Sequence, residues 1–552
     1  MSDSRPTDLS HLGDFAVSRR VLIIAALAIP IGALSACVAW ALLRLIGLIT
    51  NLVFYQRFGT ALVAPGSGHH SPLLILLAPA CGGLAIGLIA RFGSEKIRGH
   101  GIPEAIESIL VNGSKVQPRV AALKPLASAI AIGTGGPFGA EGPIIMTGGA
   151  LGSIWAQFLH LTADERKTLL VAGAAAGMAA TFNAPLASVL LAVELLLFEW
   201  RPRSFVPVVA AVAVASIVRV PMLGAGAVFP APSGSLHLDV SVYALCVVSG
   251  IAAGLLALLA TTLVYLSEDT FQRLPVHWMW WPAIGGLVVG LGGLIVPQAL
   301  GVGYDVIEAE LNGTIALNLI VGILVVKTLI WSLALGSGTS GGVLAPMLMI
   351  GGALGGLEAT IFPHVGAGFW PLVGLAGVLG GVMRSPLTGV VFALELTRRY
   401  DALLPLLIGA TAAYVVSILV LRRSVLTEKI ARRGLHLSRE YSVDPLEVLF
   451  VEDVMESEPA TELPVTAAPP AVVAHADDTL RHVAYAMAEH GVTTMPVVER
   501  GQTDRVLGTV TLEQLLQGRL RDLHEERHSE RVLRPRDLIG FGRGDPVEEG
   551  AG

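Results

Sequence analysis

Three Gly-rich breaks combine the residue types that hold anions: Gly99-His100-Gly101-Ile102-Pro103, Gly139-Ala140-Glu141-Gly142-Pro143 and Gly341-Gly342-Val343-Leu344-Ala345-Pro346. In each, proline falls where a first helical turn would begin, a position that needs no backbone N–H. Glycines just before it let the backbone amides turn towards a ligand. A helix N-terminus carries partial positive charge and unpaired N–H donors, so several converging on one point hold an anion without a full cation. Partial charge suits permeation, because a lysine or arginine there would bind too tightly to release. One such break alone reads as helix punctuation. Three in one chain point to a site.

Glu141 is the most informative single residue. A carboxylate at membrane depth is costly and usually functional. This one sits where the backbone would otherwise attract an anion. Ionised, it would occupy the anion's place; protonated, it would leave, which makes it gate and proton carrier in one. The alternative is a carboxylate that only caps its own helix.

The elements that must position these residues are membrane helices. Of 552 residues, 53% are hydrophobic and 14% are Asp, Glu, Lys or Arg, against roughly 25% charge in a soluble protein. The mean hydropathy is +0.68. A soluble multidomain enzyme is excluded, and so is a nucleic-acid binder, since 37 basic residues face 43 acidic ones and no basic block stands out. Cys37, Cys81 and Cys246 lie in apolar segments without a close Cys or His, so neither a disulfide framework nor a metal site is expected. Apolar segments cover approximately 21–43, 72–90, 121–134, 143–160, 168–199, 204–220, 241–266, 278–298, 316–335, 344–362, 370–396 and 403–421. Several are short or broken by Gly and Pro, which survives at membrane depth only where protein or a water-filled cavity shields the backbone. Lys and Arg cluster at 91–98, 201–203, 398–399, 422–423 and 432–433, while 221–240 and 296–326 hold none. The positive-inside rule makes the former group cytoplasmic, together with the N-terminus beside Arg19 and Arg20.

An internal repeat is visible. Residues 182–196, FNAPLASVLLAVELL, and 383–397, MRSPLTGVVFALELT, share six of fifteen positions at an offset of 201, including Pro185/Pro386 and Glu194/Glu395. Just upstream, Gly148 to Gly152 recurs as Gly351 to Gly355, and at that offset of 203 the break around Glu141 faces the break around Leu344. Two related halves with broken helices are the mark of a duplicated transporter.

The three breaks, the FNAPLA and RSPLTG helices and a C-terminal soluble unit, in this order, resemble the CLC family of chloride channels and proton/chloride antiporters over about residues 20–435. The resemblance implies an all-α polytopic fold of two inverted-topology repeats, working as a homodimer with one pore per subunit in the lipid bilayer. It places Glu141 at the gating glutamate. It makes Gly99, His100, Gly101, Ile102, Gly142, Val343, Leu344 and Leu426 the anion-binding set. Four residues depart from the family pattern. Leu344 replaces a Phe, which matters little if its amide is the ligand. His100 stands for a Ser and Leu426 for a Tyr, so both familiar hydroxyl donors are missing. His100 either donates one N–H or becomes cationic, or is a neutral residue at a helix start. Ala140 replaces a basic neighbour of the gate.

The inner proton glutamate of the antiporters is open. Aligned without gaps, its position is Leu195, as in the channels. With four residues inserted, Glu199-Trp200-Arg201-Pro202 matches the antiporters' Glu-x-Arg-Pro. Glu199 is then either the inner proton donor or a solvated end-of-helix charge beside Arg201. Glu194 and Glu395 read as carboxylates that satisfy nearby backbone.

After Gly434 the hydrophobic runs end. Leu480, Val483, Ala484, Met487 and Ala488 form an amphipathic helix, Met495 to Val498 and Val506 to Val510 are strands, and Thr511 to Gln514 is a capping box. This unit resembles a CBS module, which implies dimerisation or regulation, with an adenine nucleotide near Thr511 as the alternative ligand. The expected organisation is a cytoplasmic segment 1–20, a transmembrane domain 21–435, a linker and CBS-like module 436–518 and a charged aperiodic tail 519–552. The leading expectation is a multi-pass protein of the plasma (inner) membrane with both termini cytoplasmic. It conducts chloride or a similar small inorganic anion through a voltage- or pH-dependent channel gated by Glu141. The alternative is a proton-coupled antiporter using Glu141 and Glu199. A CBS-bearing cation transporter would need acidic or carbonyl ligands where these breaks supply donors. A membrane enzyme would need clustered His, Asp or Glu, and none is seen, so no catalytic residues and no cofactor are expected.

Overall fold

The computed structural model describes residues 19–435 apart from 112, 233 and 235, then 437, 446, 449–457, 472–476, 478–499 and 502–527. The first half runs α1 (Arg20–Tyr55), α2 (Pro72–Phe92), α3 (Ile102–Leu110), α4 (Pro118–Gly133), α5 (Glu141–Gln157), α6 (Ala163–Phe182), α7 (Pro185–Leu191) and α8 (Pro202–Leu223). The second runs α9 (Val240–Gln272), α10 (Trp281–Ile295), α11 (Tyr304–Leu311), α12 (Leu317–Gly322), α13 (Thr328–Gly336), α14 (Leu344–Glu358), α15 (Phe369–Met383), α16 (Pro386–Thr397) and α17 (Leu403–Val420), followed by α18 (Val425–Ala431). Among the described residues, seven helices are long and apolar enough to cross a bilayer.

Salt bridges and backbone contacts define two faces. Arg20 pairs with Glu165, Lys167 and Arg201 with Glu199, Arg433 with Glu104 and Glu107, and Arg432 with Asp269. All of these lie on one face, where α1 begins and α9 ends, so the halves are inverted. On the opposite face Arg398 donates to the Ala225 carbonyl, and Arg399 to those of Pro232 and Gly234. This corrects the expectation that 398–399 join the other basic clusters. Their charge is spent on loop carbonyls and on Asp401 at 2.9 Å, and a residue count does not see such partners.

The apolar segments 168–199 and 370–396 are each two helices. Asn183 (φ 53°) and Arg384 (φ 56°) turn left-handed just before Pro185 and Pro386, so α6 and α15 stop where α7 and α16 start. In each half the helix after the break crosses its successor at glycine. A Cβ on Gly148 would overlap the Gly173 carbonyl, as one on Gly351 or Gly374 would overlap the other's. Such close crossings are how small residues hold membrane helices together without a hydrophobic driving force.

The soluble unit has α19 (Leu480–His490) and α20 (Leu512–Arg527) beside β1 (Glu456–Ser457), β2 (Ala474–His475), β3 (Thr494–Glu499) and β4 (Gln502–Thr511). The sheet order is β1-β4-β3-β2, with only the β2–β3 pair parallel. Leu480, Val483 and Met487 of α19 face Met495, Val497 and Val510 in its core. α20 also touches α6 of the membrane domain. It runs on to Arg527, so 519–527 is helix rather than aperiodic tail. Residues 1–18, most of the linker 436–448 and residues 528–552 lie outside the described residues.

Candidate functional site

The breaks bring three helix starts together. Gly139 and Gly342 pair across the repeat, with Gly342 N–H donating to the Gly139 carbonyl at 2.9 Å and the reverse bond at 3.4 Å. That bridge sets the N-terminus of α5 against that of α14. The turn before α3 closes on the same point. A Cβ on Gly142 would overlap the His100 carbonyl and lie 3.2 Å from Gly342 Cα. Gly99 (φ 80°) and Gly101 (φ 90°) hold a backbone that only glycine adopts without strain.

Val343 is the N-cap of α14 and Leu344 its first residue, both 1% exposed. Ile102 opens α3 and is fully buried. Leu426 is fully buried in the first turn of α18, which packs on α3. The Ser424 hydroxyl before it accepts from Thr427 N–H at 3.2 Å and so caps α18. His100 is buried and its Nδ1 has no hydrogen-bond partner among the described residues. Nearby Glu104 accepts from Gly101 N–H at 2.9 Å and from Arg433 at 2.7 Å instead.

Glu141 is fully buried and leaves its own helix to cap the other half's. Its Oε1 accepts from Ala345 N–H at 3.1 Å, in the first turn of α14. Its Oε2 has no hydrogen-bond partner among the described residues and lies 2.5 Å from where Gly342 would carry a Cβ. A negative oxygen there meets both the free amides and the positive end of the helix dipole. The carboxylate holds the place an anion would take.

Two lysines missed by the sequence reading fix these turns. Lys124, fully buried on α4, donates to the carbonyls of Ile97 (2.8 Å) and Gly99 (2.6 Å). Lys327, fully buried after α12, donates to Ala299 (2.9 Å) and Gly301 (2.7 Å). The second pair marks a fourth break, Gly301-Val302-Gly303, with φ of 68° and 82° at its glycines, just before α11. The signal was in the sequence: Gly-x-Gly repeats at an offset of 202, and the lysine at 203.

On the face where α1 begins, α7 ends in a π-helical stretch, Ala192–Leu197, and Leu195 in it is fully buried. Glu199 is only 7% exposed, which corrects the solvated reading. It accepts from the Ser204 hydroxyl at 2.5 Å, with Lys167 Nζ at 3.5 Å and Arg201 at 3.4 Å. Burial alone would raise its pKa, but Lys167, Ser204, Arg201 and Arg203 together hold it below the usual carboxylate range. Glu194 and Glu395 cap each other's repeat. Glu194 accepts from Thr388 N–H (3.0 Å) at the start of α16, and Glu395 from Leu186 (3.0 Å) and Ala187 (2.8 Å) at the start of α7. Glu395→Ala strands the buried Ala187 amide and the part-buried Leu186 amide and is expected to cost about 1–3 kcal/mol of stability. Thermal unfolding in detergent should show the loss, with transport per folded protein unchanged.

A cavity of about 560 Å³ opens on the face where α1 begins and reaches Met146, beside the convergence point. Lys96, Arg98, Lys115, Lys429, Arg432 and Arg433 line it, against Glu95, Glu104, Glu107 and Glu268. In the soluble unit Thr511 lends its hydroxyl to Gln514 N–H at 3.2 Å, capping α20.

The family model described as voltage gated chloride channel matches residues 81–418, and the CBS domain model matches 451–520. The H(+)/Cl(-) exchange transporter ClcA of Salmonella arizonae is 32% identical over 422 residues, spanning 72% of this chain and 85% of that protein. The protein of the same name from Salmonella schwarzengrund is 33% identical over 371 residues, spanning 63% and 76%. Among solved structures, a slow cyanobacterial Cl-/H+ antiporter superposes with a TM-score of 0.66 at 21% identity, covering 76% of this chain and 99% of that one. A eukaryotic CLC transporter gives 0.65 at 18% identity, covering 90% and 98%. A CLC-type fluoride/proton antiporter gives 0.63 at 19%, covering 73% and 97%. At such identities the superpositions bear on the fold.

Proposed function

This chain is a multi-pass membrane protein of the voltage gated chloride channel family, with a CBS domain after its membrane helices, and from that premise we propose that it exchanges chloride for protons. The observation that carries the reading is the Glu141 carboxylate on the amide of Ala345. Anion and carboxylate compete for one set of N–H donors. Protonation of Glu141 releases the amide, an anion replaces it, and the proton travels on the group the anion has displaced. The names of the two Salmonella relatives support exchange over a channel.

Anions enter from the basic inner cavity and stop where α3, α5 and α14 converge, held by amides of the turn before α3 other than that of Gly101, which Glu104 already takes, and by those of Gly142, Val343 and Leu344, beside Leu426. Without hydroxyl donors, backbone amides and His100 carry the recognition. Glu199 is the inner proton group. Its support is the Glu-x-Arg-Pro pattern at Glu199 and its burial just after the π stretch, a feature frequent at functional sites. Leu195 supports the second reading, a chloride channel, because a buried leucine there carries no proton.

The face bearing Arg20, Arg98, Arg201, Arg423 and Arg433 is cytoplasmic on the positive-inside rule, and the plasma (inner) membrane is the location proposed for the protein. Leu186 and Leu387, equivalent in the two repeats, are 64% and 46% exposed on the short helices α7 and α16, a face that a second copy would cover in a homodimer. The CBS unit extends that dimer on the cytoplasmic side.

In a planar bilayer the reversal potential is expected to shift with a pH gradient at fixed chloride. A potential that follows chloride alone would favour the channel. Glu199→Gln is expected to cut proton flux by about tenfold or more while chloride still moves. Unchanged coupling in that variant would remove Glu199 from the route.

A further inference from the structure

The outer half of the second repeat holds a buried carboxyl that the scheme above does not use. Glu310 lies near the end of α11, three residues before the exposed Gly313, and is itself fully buried. It shares a helix face with Val306, Ile307 and Leu311, and among the described residues neither of its oxygens has a hydrogen-bond partner. An unpaired charge so placed costs several kcal/mol. The repeat does not demand it. The equivalent residue in the first half is Ser108, whose hydroxyl is satisfied by the Glu104 carbonyl at 2.9 Å.

One stripe of α14 links Glu310 to the gate. Ala345, Met349 and Gly352 fall at i, i+4 and i+7, on one face. Ala345 N–H binds Glu141. Met349 Sδ lies 2.5 Å from where Gly303 would carry a Cβ, at the start of α11. Gly352 leaves room for Glu310 Oε2, which any Cβ there would overlap. Glu141 and Glu310 thus sit two turns apart along one helix, about 10 Å.

The space between holds further polar groups. Lys327 Nζ is 3.8 Å from the same Gly303 Cβ position and within electrostatic reach of Asp305, Glu141 and Glu310. The Tyr304 hydroxyl, within reach of Glu141, is buried and has no partner. Glu141 Oε2, Tyr304 Oη and both oxygens of Glu310 are four buried polar atoms without a hydrogen-bond partner among the described residues. Buried polar groups that protein leaves unpaired are satisfied by ordered water.

We propose that Glu310 is an outer proton-relay carboxyl, which takes a proton from water at the outer face and passes it through buried water and the Tyr304 hydroxyl to Glu141. Each transfer breaks one O–H bond and forms another, no electrons change hands, and Glu310 is reset by the next proton from outside. The proposal rests on the exchange reading and adds a residue to its outer half. Asp305, on the exposed side of α11, and Lys327 set the local field on the route.

The test uses full-length protein in liposomes, with voltage set by a potassium gradient and valinomycin, recording chloride efflux and proton uptake together. Glu310→Gln is expected to lower proton flux about tenfold while chloride flux persists, so that more chloride ions move per proton. Glu310→Asp should restore much of the coupling, and Tyr304→Phe should lower proton flux in the same sense. A wild-type chloride-to-proton ratio in Glu310→Gln overturns the proposal. So does a proportional fall of both fluxes in protein that elutes as wild type, which would mark a structural role. Should Glu310→Gln fail to fold, Tyr304→Phe decides: an unchanged ratio overturns the route. A wild-type protein that moves chloride and no protons fails the exchange reading itself, and Glu310 falls with it.

Discussion

Glu141→Ala is expected to abolish proton movement, a fall of about 100-fold or more, while leaving chloride movement in place. Among the described residues the carboxylate is the only side chain seen on the amide of Ala345, and its second oxygen has no hydrogen-bond partner and stands against Gly342. Removing it leaves the amides of α14 free, so an anion takes a place it previously had to contest. Chloride flux should persist and lose its dependence on outer pH, because the group whose protonation opened the path is gone. Paired chloride and proton recordings on one vesicle preparation check this. Retained proton coupling in Glu141→Ala would show that another group carries the proton through the centre.

The second large effect is expected from Gly142→Ala, which should depress both fluxes together by about 100-fold, as displacements near 1 Å do at a reacting centre. The added methyl would overlap the His100 carbonyl and stand 3.2 Å from Gly342 Cα. Both neighbours are backbone, so neither can swing aside as a side chain would. Relief requires the α3 turn or the Gly139–Gly342 bridge to move, and either movement pulls apart the three helix starts. The same recordings separate the two variants, since Glu141→Ala splits chloride from protons and Gly142→Ala does not. Normal fluxes in Gly142→Ala would mean that the anion path lies away from this convergence.

Much of this arrangement was legible from residue order. The Pro185/Pro386 and Glu194/Glu395 frames announced the repeat because proline and a buried glutamate leave few conformational choices. Their reciprocal capping of α16 and α7 is a tertiary consequence of that frame. The fourth break, Gly301-Val302-Gly303, escaped because Tyr304 and not proline follows it. Lys124 and Lys327 lie in apolar segments with no local partner in the sequence, and the carbonyls they hold come within reach only in the fold. Arg398 and Arg399 were counted with the cytoplasmic charges because a composition rule weighs number, whereas loop carbonyls decide where these two sit. The burial of Glu199 depends on Lys167, thirty-two residues away, and no local pattern reports that pairing. Glu310 hid among acidic neighbours on a two-turn helix, where only packing against Gly352 separates a buried carboxyl from the exposed Glu308.

The most direct test of exchange is uphill transport by the wild-type protein. Purified protein in liposomes is given an outward chloride gradient and an equal pH on both sides, with voltage held at zero by potassium and valinomycin. The account predicts that chloride efflux drives protons into the vesicles and acidifies them against the gradient that builds. Chloride efflux with no proton uptake under the same clamp would contradict it and make the protein a channel.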